Sequence, residues 1–213
     1  MNEVIERVKV QFSTIYLTLV SVIQASVLSY LMVRADGLLD ALSVRSGLQL
    51  VTTFLVVVSS WNEYVMGSST FRWIPNMLDS FLPFLLGASE FLMVRSLARA
   101  GASWYFWLAV FCLVGFVAFL HQYRTARHLP DNDPVLAALG RWPRASEALL
   151  VATAAFAALA GVIDNALPRD SAGRNLVAAA AVVATLAYYI RTVLYWRRIT
   201  RYVPARTDRP GGP

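Results

Sequence analysis

The chain has 213 residues, 57% of them hydrophobic and 15% charged, with a mean hydropathy of +0.53 and a net charge of +6. A soluble domain of this length needs far more polar surface, and apolar runs without period-two alternation exclude a transmembrane β-barrel. The single cysteine, Cys112, rules out an intrachain disulfide and a multi-cysteine metal site.

Six apolar stretches of about 20 residues can each cross a bilayer, and only a helix satisfies its own backbone there. They fall at 11–33, 48–67, 73–94, 103–123, 146–163 and 176–195, making 1–203 one all-α, polytopic helical membrane domain. The first run is too long for a signal-peptide core and has no small-residue cleavage site, so it reads as a retained helix.

In the first span, Thr14, Thr18 and Ser21 recur at three- and four-residue intervals, with Gln24 close to the same stripe. In the second, Ser59, Glu63 and Gly67 stand four residues apart on one face, flanked by Ser60 and Asn62. The third carries Asn76, Asp79, Pro83 and Glu90 along one side. Asp79 and Glu90 are 11 residues apart, so they point the same way about 16 Å from each other. Three polar stripes in consecutive helices are expected to face one another and not lipid.

The predicted path is lined by Asp79, Glu63, Glu90, Asn76, Asn62, Thr14, Thr18 and Ser21. Asp79 reads as the deepest carboxyl, near the middle of its span. Pro83 frees the Asp79 carbonyl by removing a helical donor, so carboxylate and carbonyl together could take a monovalent cation or a proton. Gly87, one turn on, lets another helix or a ligand approach closely. Glu63 is expected to snorkel or to pair with Arg72, and Glu90 to bridge to Arg95 or Arg99.

The fourth span opens on Trp104, Tyr105 and Trp107 and closes on Tyr123, which with Tyr195 and Trp196 read as headgroup anchors. His121 ends this span and His128 follows it; paired axial histidines for a haem are missing, and no cofactor is expected. In the next connection, Asp133 can cap a helix, Pro134 suits its first turn and Gly140 can stop it. Its apolar face, Val135, Leu136, Leu139 and Trp142, is expected on the membrane surface or as a covered loop.

The fifth span places Ala154, Ala158 and Gly161 along one face, for packing against the sixth span or against another copy in a homo-oligomer. In the sixth, Arg191 beside Tyr188 and Tyr189 reads as a snorkelling anchor. With Arg197, Arg198 and Arg201 it is expected to meet anionic lipid or a partner. The proline- and glycine-rich tail, 204–213, is expected to be disordered.

Setting Arg191 aside, basic residues favour the side of the termini by twelve to six, which places both termini in the cytoplasm. The same asymmetry explains the net charge without a nucleic-acid partner. Arginine in place of lysine, with abundant alanine, points to a GC-rich bacterial genome and hence a bacterial inner membrane. Phe12 and Ser13 resemble the start of the Phe-Ser-Asp signature in the first helix of small six-helix bacterial potassium channels related to a lysosomal channel. Thr14 replaces the diagnostic aspartate, and that family is not assigned.

These features predict an oligomeric cation or proton channel or transporter-like protein with a path lined by helices 1–3. The alternative is a non-catalytic scaffold or sensor that binds a partner or anionic lipid through its arginine-rich face. No nucleophile–base pair or phosphate-binding loop is present, so no enzyme is expected.

Overall fold

A bilayer offers the backbone no outside hydrogen-bond partner, so each apolar run closes on itself as a helix. The computed structural model describes residues 2–40, 42–72, 76–99, 102–168 and 171–202, with side chains between 14 and 199. Its helices are α1 (Asn2–Leu39), α2 (Val44–Thr70), α3 (Met77–Arg95), α4 (Ser103–Arg127), α5 (Asp133–Leu139), α6 (Trp142–Ala166) and α7 (Ala172–Tyr202). All but α5 are long and apolar enough to cross a membrane, and no strand occurs among the described residues. The chain is therefore built as a polytopic helical membrane protein. The predicted tail lies outside the described residues.

Caps fix two helix starts. Ser43 and Ser46 form a reciprocal capping box before α2, and Asn76 and Asp79 form another before α3. The second box corrects the expected start at 73: α3 begins at Met77, which puts Asp79 in its first turn and not at mid-span.

The six long helices pack as a ring in the order α1, α3, α4, α6, α7, α2, closed by α2 against α1; α4–α6 and α2–α7 are the most extensive contacts. In that order α2 and α4 stand on opposite sides of the interior. They divide it into one compartment with α1 and α3 and another with α6 and α7.

Small residues on α6 do provide close packing, but against α4. Ala154, Ala157, Ala160 and Gly161 are buried while Ala158 faces outward. A Cβ at Gly161 would touch the Cβ atoms of Ala102 and Tyr105 at 3.2 and 3.3 Å. Four expected headgroup anchors also turn inward. Trp104, Tyr105, Tyr123 and Tyr195 are buried, and Trp104 Nε1 donates to Thr53 Oγ1 at 3.1 Å. Large rings bury the most apolar area when they fill the core.

The short helix α5 forms where its turn residues place it, stopped by Gly140 at φ +56°, a conformation that favours glycine. Its apolar face is a lid on the bundle: Leu139, with Val135, Leu136 and Trp142, packs among Tyr16, Phe71 and Tyr195. Arg198 braces it by donating to the Ala138 carbonyl at 3.1 Å.

Asn132, buried just before α5, ties this lid to the α2–α3 connection. Its Oδ1 accepts from the Arg72 amide at 2.9 Å, and its Nδ2 donates to the carbonyls of Arg72 and Ala126 at 2.7 and 2.9 Å. Asn132→Ala removes three hydrogen bonds to the backbone, so we expect a loss of about 2–4 kcal/mol in a reversible unfolding titration in mixed micelles. Asp131→Ala, which breaks only an exposed 3.6 Å contact with Arg72, is expected to stay within about 0.5 kcal/mol.

Candidate functional site

At the end of the bundle that carries the termini, the first turn of α3 meets the end of α4. Asn76 Oδ1 accepts from the amides of Leu78 and Asp79 at 2.8 and 3.3 Å, and Asp79 Oδ2 accepts from the Asn76 amide at 2.8 Å. These bonds fix the orientation of both side chains. They aim Asp79 Oδ1 and Asn76 Nδ2 at one nitrogen, His121 Nε2, at 3.1 and 3.2 Å. The carboxylate oxygen needs a proton on that nitrogen, whereas the amide needs a lone pair there. A single imidazole nitrogen thus faces two partners that demand opposite states of it.

Behind this pair lies a cavity of about 40 Å³, bounded by Tyr16, Tyr64, Ser68, Asp79, His121 and Gln122 among others. Tyr16 and Tyr64 form its inner wall, edge to face with ring centroids 5.7 Å apart. Tyr64, Ala118 and Gln122 also line a second cavity of about 80 Å³ between α2, α4, α6 and α7. Gln122 reaches this shared wall because Gly67 yields space: a Cβ there would collide with the Gln122 side chain. Each space is large enough for water.

Glu63 borders the larger cavity, but its partner is not Arg72. Glu63 Oε1 accepts from Arg191 Nη1 at 2.5 Å and from Thr192 Oγ1 at 2.6 Å. Arg191 is buried and is no lipid-facing anchor. Its guanidinium carbon lies 5.4, 5.6 and 5.2 Å from the ring centroids of Phe119, Tyr188 and Tyr195. A cation desolvated among three rings gains from each of them. Its distance from Glu63 in sequence hid this pairing.

Glu90 is fully buried and turns inward, away from the predicted bridge to Arg95 or Arg99. Its Oε2 accepts from Gln24 Nε2 at 2.9 Å, and Ser60 Oγ lies 3.5 Å from the same nitrogen. Thus Gln24 of α1, Ser60 of α2 and Glu90 of α3 do meet, as three facing polar helices predict.

The remainder of the α1 stripe does not join them. Thr14, Thr18 and Ser21 are exposed on the outside of the bundle, because α1 buries Tyr16, Val20, Gln24, Val27 and Leu31 instead. That larger apolar face removes more area from water or lipid contact and packs better. The outward hydroxyls still find partners: Thr18 Oγ1 donates to the Thr14 carbonyl at 2.9 Å, and Ser21 Oγ accepts from Trp61 Nε1 at 3.4 Å. Asn62 is half-buried on the flank of α2.

Pro83 sits inside α3, buried, and leaves the Asp79 carbonyl without its helical donor. Gly87 admits α1 as expected, since a Cβ there would collide with Ile23 Cγ2. Arg197 and Arg198 are exposed at the end of α7, and the Arg201 side chain lies outside the described residues.

No family model, no curated protein and no solved structure matches this chain.

Two interior residues, His121 and Asp164, carry only a periodic signal in the sequence. His121 ends the fourth span without a second histidine to pair with, yet Ala118, His121 and Gln122 share one face at three- and four-residue spacing. Asp164 lies just past the predicted fifth span, 146–163, although Ala154, Ala157, Gly161 and Asp164 follow the same rhythm. That periodicity points Asp164 inward, where it is fully buried against Arg45.

Proposed function

We propose that this chain is a multi-pass membrane protein that moves protons, or couples to their movement, through the interior of its bundle. The observation that carries the reading is the His121 nitrogen held between Asp79 and Asn76. Protonated, it donates to the carboxylate; deprotonated, it accepts from the amide. The imidazole can therefore exchange a proton while both neighbours stay in place.

Proton transfer suits this interior better than passage of a metal cation. The two cavities, about 40 and 80 Å³, have room for a few waters. Glu63, the carboxylate on the larger one, is already neutralised by Arg191. The exposed Arg124, Arg127, Arg141, Arg144, Arg197 and Arg198 suit the end carrying the termini to the anionic cytoplasmic leaflet of a bacterial inner membrane.

Proteoliposomes loaded with a pH-sensitive dye test the proposal. Under an imposed potential the wild type acidifies the lumen, and Asp79→Asn or His121→Gln slows this by about tenfold or more. Flux unchanged by both substitutions removes the pair from the mechanism. Absence of flux under either polarity of gradient rejects proton transport.

A further inference from the structure

Among the described residues, four carboxyl groups point into the bundle, and three of them face a basic side chain. Asp79 lies 3.1 Å from His121, Glu63 lies 2.5 Å from Arg191 and Asp164 lies 2.7 Å from Arg45. Glu90, fully buried, faces the neutral amide of Gln24 instead.

The bonding of this pair is incomplete in an informative way. Gln24 Nε2 donates to Glu90 Oε2 at 2.9 Å, while the other oxygen of each group, Glu90 Oε1 and Gln24 Oε1, is buried without a partner. A carboxylate oxygen and an amide oxygen offer only lone pairs, so neither orphan can satisfy the other while Glu90 is ionised. An ionised carboxylate without a counter-charge is also costly at this depth.

One hydrogen atom resolves both orphans. We propose that Glu90 and Gln24 form a buried proton-binding site, in which a carboxyl O–H on Glu90 Oε1 donates to Gln24 Oε1 while Gln24 Nε2 donates to Glu90 Oε2. Turning the amide over exchanges the two bonds and requires the same proton. Ser60 connects the pair to water: its hydroxyl lies 3.5 Å from Gln24 Nε2 and borders the larger cavity. The proton comes from hydronium in the cavity, whose O–H bond breaks as the Glu90 O–H bond forms and leaves water, and release reverses the exchange.

As a station on a proton route the site rests on the proposed function, but its occupancy is measurable without transport. Infrared spectra of the purified protein in lipid at neutral pH are expected to contain a carboxylic-acid C=O band. Glu90→Gln, which keeps the neutral shape of the pair, is expected to abolish that band. Gln24→Leu, which removes the acceptor, is expected to move it to higher frequency.

Absence of the band from the wild type, or its persistence unchanged in Glu90→Gln, overturns the site. A band unmoved by Gln24→Leu overturns the pairing. An intact band pattern in a protein that moves no protons rejects transport and leaves the site standing.

Discussion

Asp164→Leu is expected to destabilise the bundle by about 3–5 kcal/mol, because it takes the carboxylate counter-charge from a largely buried guanidinium. Arg45, at the start of α2, reaches Asp164, near the end of α6, with Nε to Oδ1 at 3.0 Å and Nη2 to Oδ2 at 2.7 Å. This two-pronged arrangement matches the planar fork of arginine to both carboxylate oxygens. α2 and α6 are not neighbours in the ring, so the pair acts as a strut across its far end.

The Arg45→Leu/Asp164→Leu double variant removes both charges and is expected to recover most of the loss, since a buried pair replaced by apolar side chains is often neutral in energy. Unfolding midpoints in mixed micelles measure both effects. A single-variant loss below about 0.5 kcal/mol, the range of an exposed pair, would show that Arg45 reaches solvent instead.

Hydropathy revealed the six crossings because lipid leaves an apolar segment no other backbone solution. It could not rank competing faces of one helix. On α1, the regular Thr14–Thr18–Ser21 stripe looked like an inner wall, yet local hydroxyl-to-carbonyl bonding makes threonine tolerable outside, and the larger apolar face won the interior. On α3, Asp79 looked deep because the hydrophobic run begins before the helix does; the Asn76–Asp79 box places it at the end of the bundle.

Long-range pairing was the least legible feature. Glu63 is near Arg72 in sequence, but its partner is on the last helix, and no local pattern encodes that. Asp164 and His121 were within reach of periodicity, because each shares a face with small or polar neighbours. Gln24 shows both sides of the problem. Its proximity to the α1 stripe flagged it, and its turn beyond that stripe is what brings it to Glu90.

The Glu63–Arg191 pair should be nearly as costly to break as the Asp164 strut, and a double-mutant cycle separates its parts. Glu63→Leu leaves a cation buried among Phe119, Tyr188 and Tyr195, and Arg191→Leu leaves a carboxylate on the wall of the cavity. Each is expected to cost about 3–5 kcal/mol in the same unfolding assay. The double variant is expected to cost less than the sum by about 1–3 kcal/mol, which is the coupling between directly contacting groups. Arg191→Lys is expected to restore only part of the stability: an ammonium keeps the charge, but it cannot spread a planar cation across three rings. An anchor at the lipid surface would behave differently, tolerating Arg191→Lys without loss and showing no coupling to Glu63. Full stability in Arg191→Lys together with an additive cycle would therefore place Arg191 at the membrane surface and remove it from the cavity wall.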